Sequence, residues 1–201
     1  MIAVVDFGGG NMGSLVAALE RRSAVFVLTD DPAVVAAADA GILPGDGAFG
    51  ATMQALGERG LDTGVRTLVD KGRPLLGICV GMQLLYERSY EHGDFEGLGL
   101  LPGAIERFGP AAPRVPHVGW NQLEILRPHR FVEGLPDEPY AYFLHSYRAP
   151  VDESTVAVAT YGERFAAIVA RDNVLGTQFH PEKSQETGAV LLDNFLALAA
   201  R

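Results

Sequence analysis

The stretch that decides the fold is Pro74-Leu-Leu-Gly-Ile-Cys79-Val-Gly-Met-Gln83-Leu-Leu-Tyr86, where an apolar run meets a glycine-flanked cysteine. Residues 74–78 predict a buried strand, and residues 80–87 predict a helix that begins directly after Cys79. The segment Gly77-Ile-Cys79-Val-Gly81 has the form G-x-C-x-G, which is typical of the sharp strand-to-helix turn that carries a nucleophile in α/β folds.

The glycines of this turn have a physical reason. A sharp turn strains the nucleophile's backbone and crowds the residues two places on either side, so residues without a Cβ fit there. The first N–H groups of the helix would point at Cys79 and favour its thiolate. A lone cysteine is more often a buried core residue. Here the flanking glycines and the strand–helix switch favour a nucleophile.

A histidine and a glutamate near the C-terminus complete a catalytic arrangement. In Gly176-Thr-Gln-Phe-His180-Pro-Glu182 a predicted strand ends at His180, because the proline that follows has no N–H to continue a sheet. Residues i and i+2 of an extended chain face the same side, so Glu182 can orient His180 and stabilise its imidazolium. Each residue alone would be interpreted as a surface residue. With Cys79 they predict a triad in which His180 is the base.

Short apolar runs alternate with helical patterns through the first half of the chain. This alternation predicts an α/β fold with an open, mostly parallel sheet flanked by helices. The predicted strands are 2–5, 25–28, 41–43 and 74–78. The predicted helices are 11–21, a short one opened by Pro32, one that ends near Lys71-Gly72, and 80–87.

The second half predicts an antiparallel β-rich portion, because its apolar runs are shorter and prolines cluster at 110, 113 and 116. The predicted strands are 140–144, 155–160, 165–170 and 174–179, and a final helix covers 185–200. Neither a repeat nor a linker is visible, so residues 1–201 are interpreted as one domain.

Composition and charge exclude several classes of function. Hydrophobic residues make up 48% and charged residues 20% of the 201 residues, which predicts a full core. With 16 basic and 25 acidic side chains the net charge is −9, so neither nucleic acid nor a membrane is expected as a partner. No apolar run reaches membrane-spanning length, and the N-terminus lacks a signal-peptide pattern.

Cys79 is the only cysteine, which excludes an intrachain disulfide and a cysteine-rich zinc site. A reducing compartment is the simple inference, so we expect a cytoplasmic protein. We predict neither a metal nor a cofactor.

Six stretches carry a resemblance that covers nearly the whole chain. The elbow 77–83 and the stretch Gln178-Phe-His-Pro-Glu-Lys-Ser-Gln185 resemble class I (triad) glutamine amidotransferases. Within that family the chain looks like the glutaminase subunits of imidazole glycerol phosphate synthase, of histidine biosynthesis. Besides the Lys-Ser-Gln ending, the other stretches are Asp6-Phe-Gly-Gly-Gly-Asn-Met-Gly-Ser14, Pro44-Gly-Asp-Gly47, Val115-Pro-His-Val-Gly-Trp-Asn121 and Tyr142-Phe-Leu-His-Ser-Tyr147.

The resemblance implies a reaction and a role for each site residue. Cys79 would attack the carboxamide of L-glutamine to form a glutamyl thioester, and His180 would pass the thiol proton to the leaving ammonia. The oxyanion would be held by backbone N–H groups of Val80 and of the loop at Asp46 and Gly47. The residues implied to bind the substrate are Gly45, Gln83, Glu91, Ser146 and Tyr147.

The resemblance also implies a partner. Ammonia would pass to a (β/α)8-barrel cyclase subunit in a heterodimer, which makes imidazole glycerol phosphate and an aminoimidazole carboxamide ribotide. Glutaminase activity would be weak until the partner holds its ligand. The residues implied at the interface are Asn11, His117, Trp120, Asn121 and Lys183. From the residues alone, Trp120 could also be an aromatic packed in the β-rich portion, which is compatible with an interface position. Lys183 could simply be a solvated lysine.

Asp46 departs from the family pattern, which more often has an apolar residue at this place in the oxyanion loop. A carboxylate that pointed inward would oppose the negative charge of the oxyanion. We therefore expect the Asp46 side chain to point outward, to solvent or to the partner.

Two alternatives remain open from the sequence. The elbow also fits the glutaminase of another amidotransferase, such as an anthranilate or pyridoxal phosphate synthase, although the first loop and the Lys-Ser-Gln ending disfavour these. Gly8-x-Gly10-x-x-Gly13 with Asp30 has roughly the spacing of a dinucleotide-binding module. That alternative leaves Cys79, His180 and Glu182 unexplained.

Overall fold

The computed structural model describes residues 1–8 and 12–200, which form six α-helices and fourteen β-strands. The strands are β1 (Ile2–Val5), β2 (Phe26–Thr29), β3 (Ala40–Leu43), β4 (Leu75–Ile78), β5 (Tyr86–Ser89), β6 (Phe95–Glu96), β7 (Leu101–Arg107), β8 (His117–Gln122), β9 (Glu124–Ile125), β10 (Tyr140–His145), β11 (Tyr147–Arg148), β12 (Thr155–Tyr161), β13 (Glu163–Arg171) and β14 (Val174–Thr177). The helices are α1 (Gly13–Glu20), α2 (Pro32–Ala37), α3 (Phe49–Glu58), α4 (Leu61–Asp70), α5 (Val80–Gln83) and α6 (Gln185–Ala199).

The central sheet has the strand order β2-β1-β3-β4-β14-β13-β12-β9. The five neighbouring strands β2, β1, β3, β4 and β14 are mutually parallel. Strands β13, β12 and β9 continue the sheet in antiparallel pairs. Strands β1, β3, β4 and β14 are buried at every position, as expected for strands covered on both faces. The predicted α/β fold with an open, mostly parallel sheet is therefore confirmed.

The second half adds smaller sheets to this framework, as predicted. Strands β8 and β10 form a two-stranded antiparallel sheet that places His117 opposite His145 and Trp120 opposite Tyr142. Strands β11, β7, β5 and β6 form a further sheet, in which the β5–β7 pair is parallel and the other pairs are antiparallel.

Buried side chains from both halves of the chain contribute to one apolar core, with Phe49, Phe143 and Phe195 fully enclosed in it. This shared core agrees with a single domain over residues 1–201, which stays a prediction. Within residues 1–8 and 12–200, no helix combines the length and the apolar character needed to cross a membrane.

Two predicted helices differ from the structure. The region before Lys71 holds α3 and α4 rather than one helix, because Gly60 takes a left-handed conformation (φ 67°) between them. The helix after Cys79 ends at Gln83 instead of near residue 87. The chain then enters β5, which pairs with β6 and β7, so sheet pairing overrides the local helical pattern.

The junction between β4 and α5 brings two stretches of backbone into direct contact. A Cβ placed on Gly81 would lie 1.9 Å from the carbonyl oxygen of Leu43 at the end of β3. A Cβ placed on Gly45 would lie 2.4 Å from the Val80 nitrogen. Neither position has room for a side chain, so glycine is required for the loop after β3 to pack on the turn after β4.

We expect Gly81→Ala to lower the free energy of unfolding by about 2–4 kcal/mol, because the added methyl group meets rigid backbone rather than a flexible side chain. Equilibrium unfolding in urea, followed by circular dichroism, measures this change.

Gly57→Ala is the matched control. Gly57 lies inside α3, and nothing approaches within 4 Å of a Cβ placed there. Alanine should therefore raise the free energy of unfolding by about 0.5–1 kcal/mol through its better helix propensity. Equal effects of the two substitutions would contradict the close approach at Gly81.

Candidate active site

Cys79 lies at the end of β4 in a conformation that side chains rarely adopt, with φ 53° and ψ −113°. Its N–H donates to the Thr177 carbonyl oxygen over 2.7 Å, which ties the residue to β14. The side chain is buried and α5 begins directly after it. Left-handed backbone at a non-glycine residue costs energy, and such strain concentrates at functional sites. The predicted nucleophile turn is therefore present in the structure.

His180 follows β14 and meets Glu182 within one short turn. Its Nδ1 lies 2.8 Å from Glu182 Oε1. The segment Pro181–Lys183 is a 3-10 turn rather than the extended chain expected from the i, i+2 pattern, but the two side chains still meet. Ser184 secures the turn, since its hydroxyl donates to the His180 carbonyl oxygen over 2.7 Å and accepts from the Tyr142 N–H over 3.0 Å.

The charge of His180 is set by its two neighbours. Burial alone would lower the pKa of His180, but the neighbouring Cys79 and the hydrogen-bonded Glu182 outweigh burial and raise the pKa to about 10. Glu182 occupies Nδ1, which leaves Nε2 for the bond with Cys79. At neutral pH the ring is therefore an imidazolium beside the Cys79 sulfur.

Glu182 is an almost fully enclosed carboxylate, with 6% of its side chain exposed. Its Oε2 has no hydrogen-bond partner among the described residues. A buried carboxylate needs a compensating charge, and the His180 imidazolium supplies it. The pair thereby fixes both the orientation of the ring and the nitrogen that carries the proton toward Cys79.

The loop after β3 lies where the oxyanion hole is predicted. Gly45 packs directly on the backbone nitrogens of Val80 and Gly81. Asp46 and Gly47 are exposed, and Gly47 has a positive φ of 99°. Asp46 also lines the cavity that holds His180 and Glu182, so the expected outward direction of its carboxylate stays a prediction.

A cavity of about 270 Å3 opens beside Cys79. Glu91 at its wall is held in place, because its Oε2 accepts from the Phe49 N–H over 2.6 Å at the start of α3. Gly45 instead lines a neighbouring cavity, whereas the other predicted substrate residues are brought together here. The residues that line the cavity are Gly47, Cys79, Val80, Gln83, Glu91, Pro116, Leu144, His145, Ser146 and Tyr147.

The amide of Gln83 has a fixed orientation. Its nitrogen donates to the Tyr147 carbonyl oxygen and to Gln178 Oε1, each over 3.0 Å. A carbonyl oxygen can only accept, so the nitrogen and not the oxygen of the amide must face Tyr147. This leaves the Gln83 Oε1 to accept from a ligand, as the ammonium group of an amino acid requires.

A second cavity of about 260 Å3 shares Leu144 with the first. His180 and Glu182 line it, together with Phe7, Met12, Leu15, Pro44, Gly45, Asp46, Ile78 and Lys183. The triad therefore borders both cavities, one beside the sulfur and one beside the His180–Glu182 pair.

Sequence reasoning missed Gln178, whose Nε2 lies 4.0 Å from the Cys79 sulfur. A signal was available, because Gln178 precedes His180 by two residues at a strand end and so faces the same side. His145, Leu144 and Pro116 were also missed as cavity residues. They lie in the β-rich half, where alternation alone does not tell which face meets the nucleophile.

The predicted interface residues separate into two groups. Trp120 is 48% exposed, Lys183 is exposed and Asn121 is half-buried. His117 is only 2% exposed and stacks on Tyr161 with ring centroids 4.0 Å apart. The His117 side chain therefore packs inside the β-rich portion, and the prediction that this residue lies at an interface stays a prediction. Asn11 lies outside the described residues.

The dinucleotide alternative finds little support. Residues 9–11 of its glycine loop, which include Gly10, lie outside the described residues, whereas Gly8, Gly13 and Asp30 are described. The guanidinium of Arg59 lies over Gly8, 2.6 Å from a Cβ placed there, and pairs with Asp30 at 3.8 Å. The described part of the chain also contains no group of three His, Cys, Asp or Glu side chains able to hold a metal ion.

Comparison with known proteins agrees with this geometry. The profile of the family "Glutamine amidotransferase class-I" matches residues 3–199. The "Imidazole glycerol phosphate synthase subunit HisH" of Salinibacter ruber is 45% identical, over 98% of this chain and 94% of its own length. The subunit of the same name from Aquifex aeolicus is 47% identical, over 96% of this chain and 94% of its own length.

A solved structure shares the fold. A crystal structure described as a glutamine amidotransferase superposes with a TM-score of 0.75 at 25% identity, covering 100% of this chain and 99% of the other. With the family profile spanning nearly the whole length, the chain belongs to the class-I glutamine amidotransferases, in the branch of the imidazole glycerol phosphate synthase subunit HisH.

Proposed function

We propose that this chain is the glutaminase subunit of an imidazole glycerol phosphate synthase, which hydrolyses L-glutamine to glutamate and ammonia. The observation that carries the proposal is the 2.8 Å contact of His180 with Glu182 close to Cys79, at a cavity of amino-acid size. The relatives named above support the choice of synthase.

The first half-reaction forms a thioester. The Cys79 thiolate attacks the carboxamide carbon of glutamine, and the carbonyl oxygen becomes an oxyanion that the Val80 N–H and an N–H of Asp46 or Gly47 stabilise. The C–N bond then breaks as the His180 imidazolium gives its Nε2 proton to the leaving nitrogen. Ammonia leaves, and a glutamyl thioester and a neutral His180 remain.

The second half-reaction releases glutamate. Neutral His180 takes a proton from water, and the resulting hydroxide adds to the thioester carbon. The C–S bond breaks, Cys79 returns as a thiolate, and the new carboxyl group gives its proton to solvent as glutamate leaves. His180 remains an imidazolium, so the starting ion pair is restored. Glu182 stabilises the imidazolium in both halves and keeps Nε2 directed at the reacting atoms.

The cavity beside Cys79 suits the amino-acid end of glutamine. Gln83 Oε1 and the Glu91 carboxylate are acceptors for the ammonium group, and Ser146 and Tyr147 complete the wall. We assign the role of Gly45 to packing under the oxyanion loop rather than to direct substrate contact.

The partner in this proposal is the (β/α)8-barrel cyclase subunit, which would receive the ammonia in a heterodimer. We assign three described side chains to its interface: Trp120 and Lys183, which are exposed, and Asn121, which is half-buried. We also propose a cytoplasmic location, because the mechanism requires the only cysteine to remain a reduced thiol.

We expect the purified chain to release glutamate from glutamine strongly only when the cyclase subunit and its ribotide ligand are present, and Cys79→Ala to abolish this release. The measurement is glutamate production with and without the partner. Removal of a covalent nucleophile leaves no thioester route, so a loss of at least about 1000-fold is expected.

High release without any partner would keep the thiol chemistry but contradict the choice of synthase. Full activity of Cys79→Ala would contradict the proposed function itself. The matched control is Gly57→Ala, which changes a residue remote from the cavity.

The charge of His180 gives an independent prediction. We expect its imidazole to titrate near pH 10, and Glu182→Gln to lower that pKa because a hydrogen-bonded negative charge is lost. Since the folded pKa lies above the usual 6.5, protonated His180 stabilises the fold fully below about pH 6.5, and this stabilisation is lost as pH rises toward 10. NMR titration of the ring measures the pKa, and a His180 that titrates near 6.5 would refute the ion pair.

A further inference from the structure

A line of hydrogen bonds runs from the outer strands β8 and β10 into the active site, through side chains that the triad does not use. His145 Nδ1 lies 2.8 Å from the Tyr147 carbonyl oxygen. The Nε2 of the same ring lies 3.2 Å from His117 Nδ1. The next link outward is between His117 Nε2 and the side-chain nitrogen of Asn121, 3.4 Å apart. Both rings are buried.

The Tyr147 carbonyl sets the direction of every bond in this line, because it can only accept. His145 must therefore carry its hydrogen on Nδ1, which makes Nε2 of the neutral ring an acceptor. His117 must then donate from Nδ1, and its Nε2 accepts from Asn121. Both rings are thus assigned to the tautomer with the hydrogen on Nδ1.

The surroundings keep both rings neutral and in place. Burial lowers the pKa of His145 to about 3 and that of His117 to about 4. An imidazolium would have two donors and no acceptor, so neutrality is a condition for the line of bonds. His117 also stacks on Tyr161 and on Phe143, with ring centroids 4.0 Å and 4.9 Å away, which restrains its plane.

The Tyr147 carbonyl oxygen also accepts a hydrogen bond from a side chain close to the nucleophile. Gln83 donates to Tyr147 O and to Gln178, and Gln178 in turn directs its Nε2 at the Cys79 sulfur, 4.0 Å away. Gln83 and Gln178 are both buried. The Tyr147 carbonyl therefore joins the histidine pair to the two amides that adjoin the glutamine cavity and the sulfur.

We propose that His145 is a positioning residue for the glutaminase reaction and that His117 holds its ring in place. His145 fixes the Tyr147 carbonyl, and the carbonyl in turn holds Gln83 in the geometry that binds glutamine. The inference rests on the proposed function and deepens it. His145 lines the cavity, yet its two ring nitrogens are occupied by Tyr147 and His117, so it acts through these neighbours.

The tautomers can be tested in the unmodified protein. Long-range ¹H–¹⁵N NMR spectra should show His145 and His117 neutral, with the hydrogen on Nδ1, from about pH 6 to pH 9. A ring with its hydrogen on Nε2, or one that becomes protonated between pH 6 and pH 7, would overturn the proposal. This measurement needs no substitution, so it stands even if a variant does not fold.

Kinetics test the positioning role. We expect His145→Leu, assayed as the complex with the cyclase subunit and its ligand, to raise KM for glutamine about tenfold while kcat changes less than about threefold. The reason is that the Tyr147 carbonyl loses one of its two side-chain donors and keeps only Gln83. His145→Asn keeps a side-chain N–H₂ group at the place of Nδ1 and should restore KM to within about threefold of wild type. A merely structural role would lower the stability of both variants and leave KM unchanged, which would overturn the proposal.

His117→Phe tests the second link. Phenylalanine keeps the stacking on Tyr161 and Phe143 but removes both ring nitrogens, and we expect an increase of KM of about threefold. An unchanged KM in this variant would overturn the part assigned to His117. Cys79→Ala separates this inference from the proposed function. An active Cys79→Ala variant would contradict the proposed function, whereas an inactive one together with an unchanged KM in His145→Leu would contradict only the role of His145.

Discussion

The contact between the loop after β3 and the turn after β4 is the constraint on which the site depends. Gly81 lies against the Leu43 carbonyl oxygen and Gly45 against the Val80 nitrogen, so two backbones meet without intervening side chains. This contact places the loop of Asp46 and Gly47 next to the nucleophile. The left-handed conformation of Cys79 is maintained because strands β4 and β14 and this loop surround it on several sides.

Three histidines near the cavity show how surroundings set the charge of one residue type. His180 is held as an imidazolium by Cys79 and Glu182, whereas burial keeps His117 and His145 neutral. The charge of His180 itself contributes to the lowered pKa of His145. His180 can therefore carry a proton for catalysis, while His117 and His145 stay neutral, each with one donor nitrogen and one acceptor nitrogen.

Much of this arrangement could be predicted from the sequence, because its signals are local. The glycines around Cys79 and the apolar runs of the first half predict the nucleophile turn and the parallel sheet, and the comparisons confirm the family. The short α5 and the break at Gly60 were not predicted, since pairing of β5 with β7 and packing of α4 depend on distant residues. The burial of His117 was missed because alternation along a strand does not reveal what each face packs against. Gln178 was missed although its spacing from His180 offered a signal.

Strand β10 has a consequence for how the molecule can be observed. Tyr142 accepts from the His180 N–H over 3.3 Å and donates to Ser184, so its backbone holds the turn that carries the base. Directly across the strand pair, its ring lies 6.1 Å from that of Trp120, the only tryptophan of the chain. Trp120 is half exposed, and its emission depends on the solvent and groups around it. The protein therefore contains an intrinsic fluorophore that reports on the strand supporting its catalytic histidine.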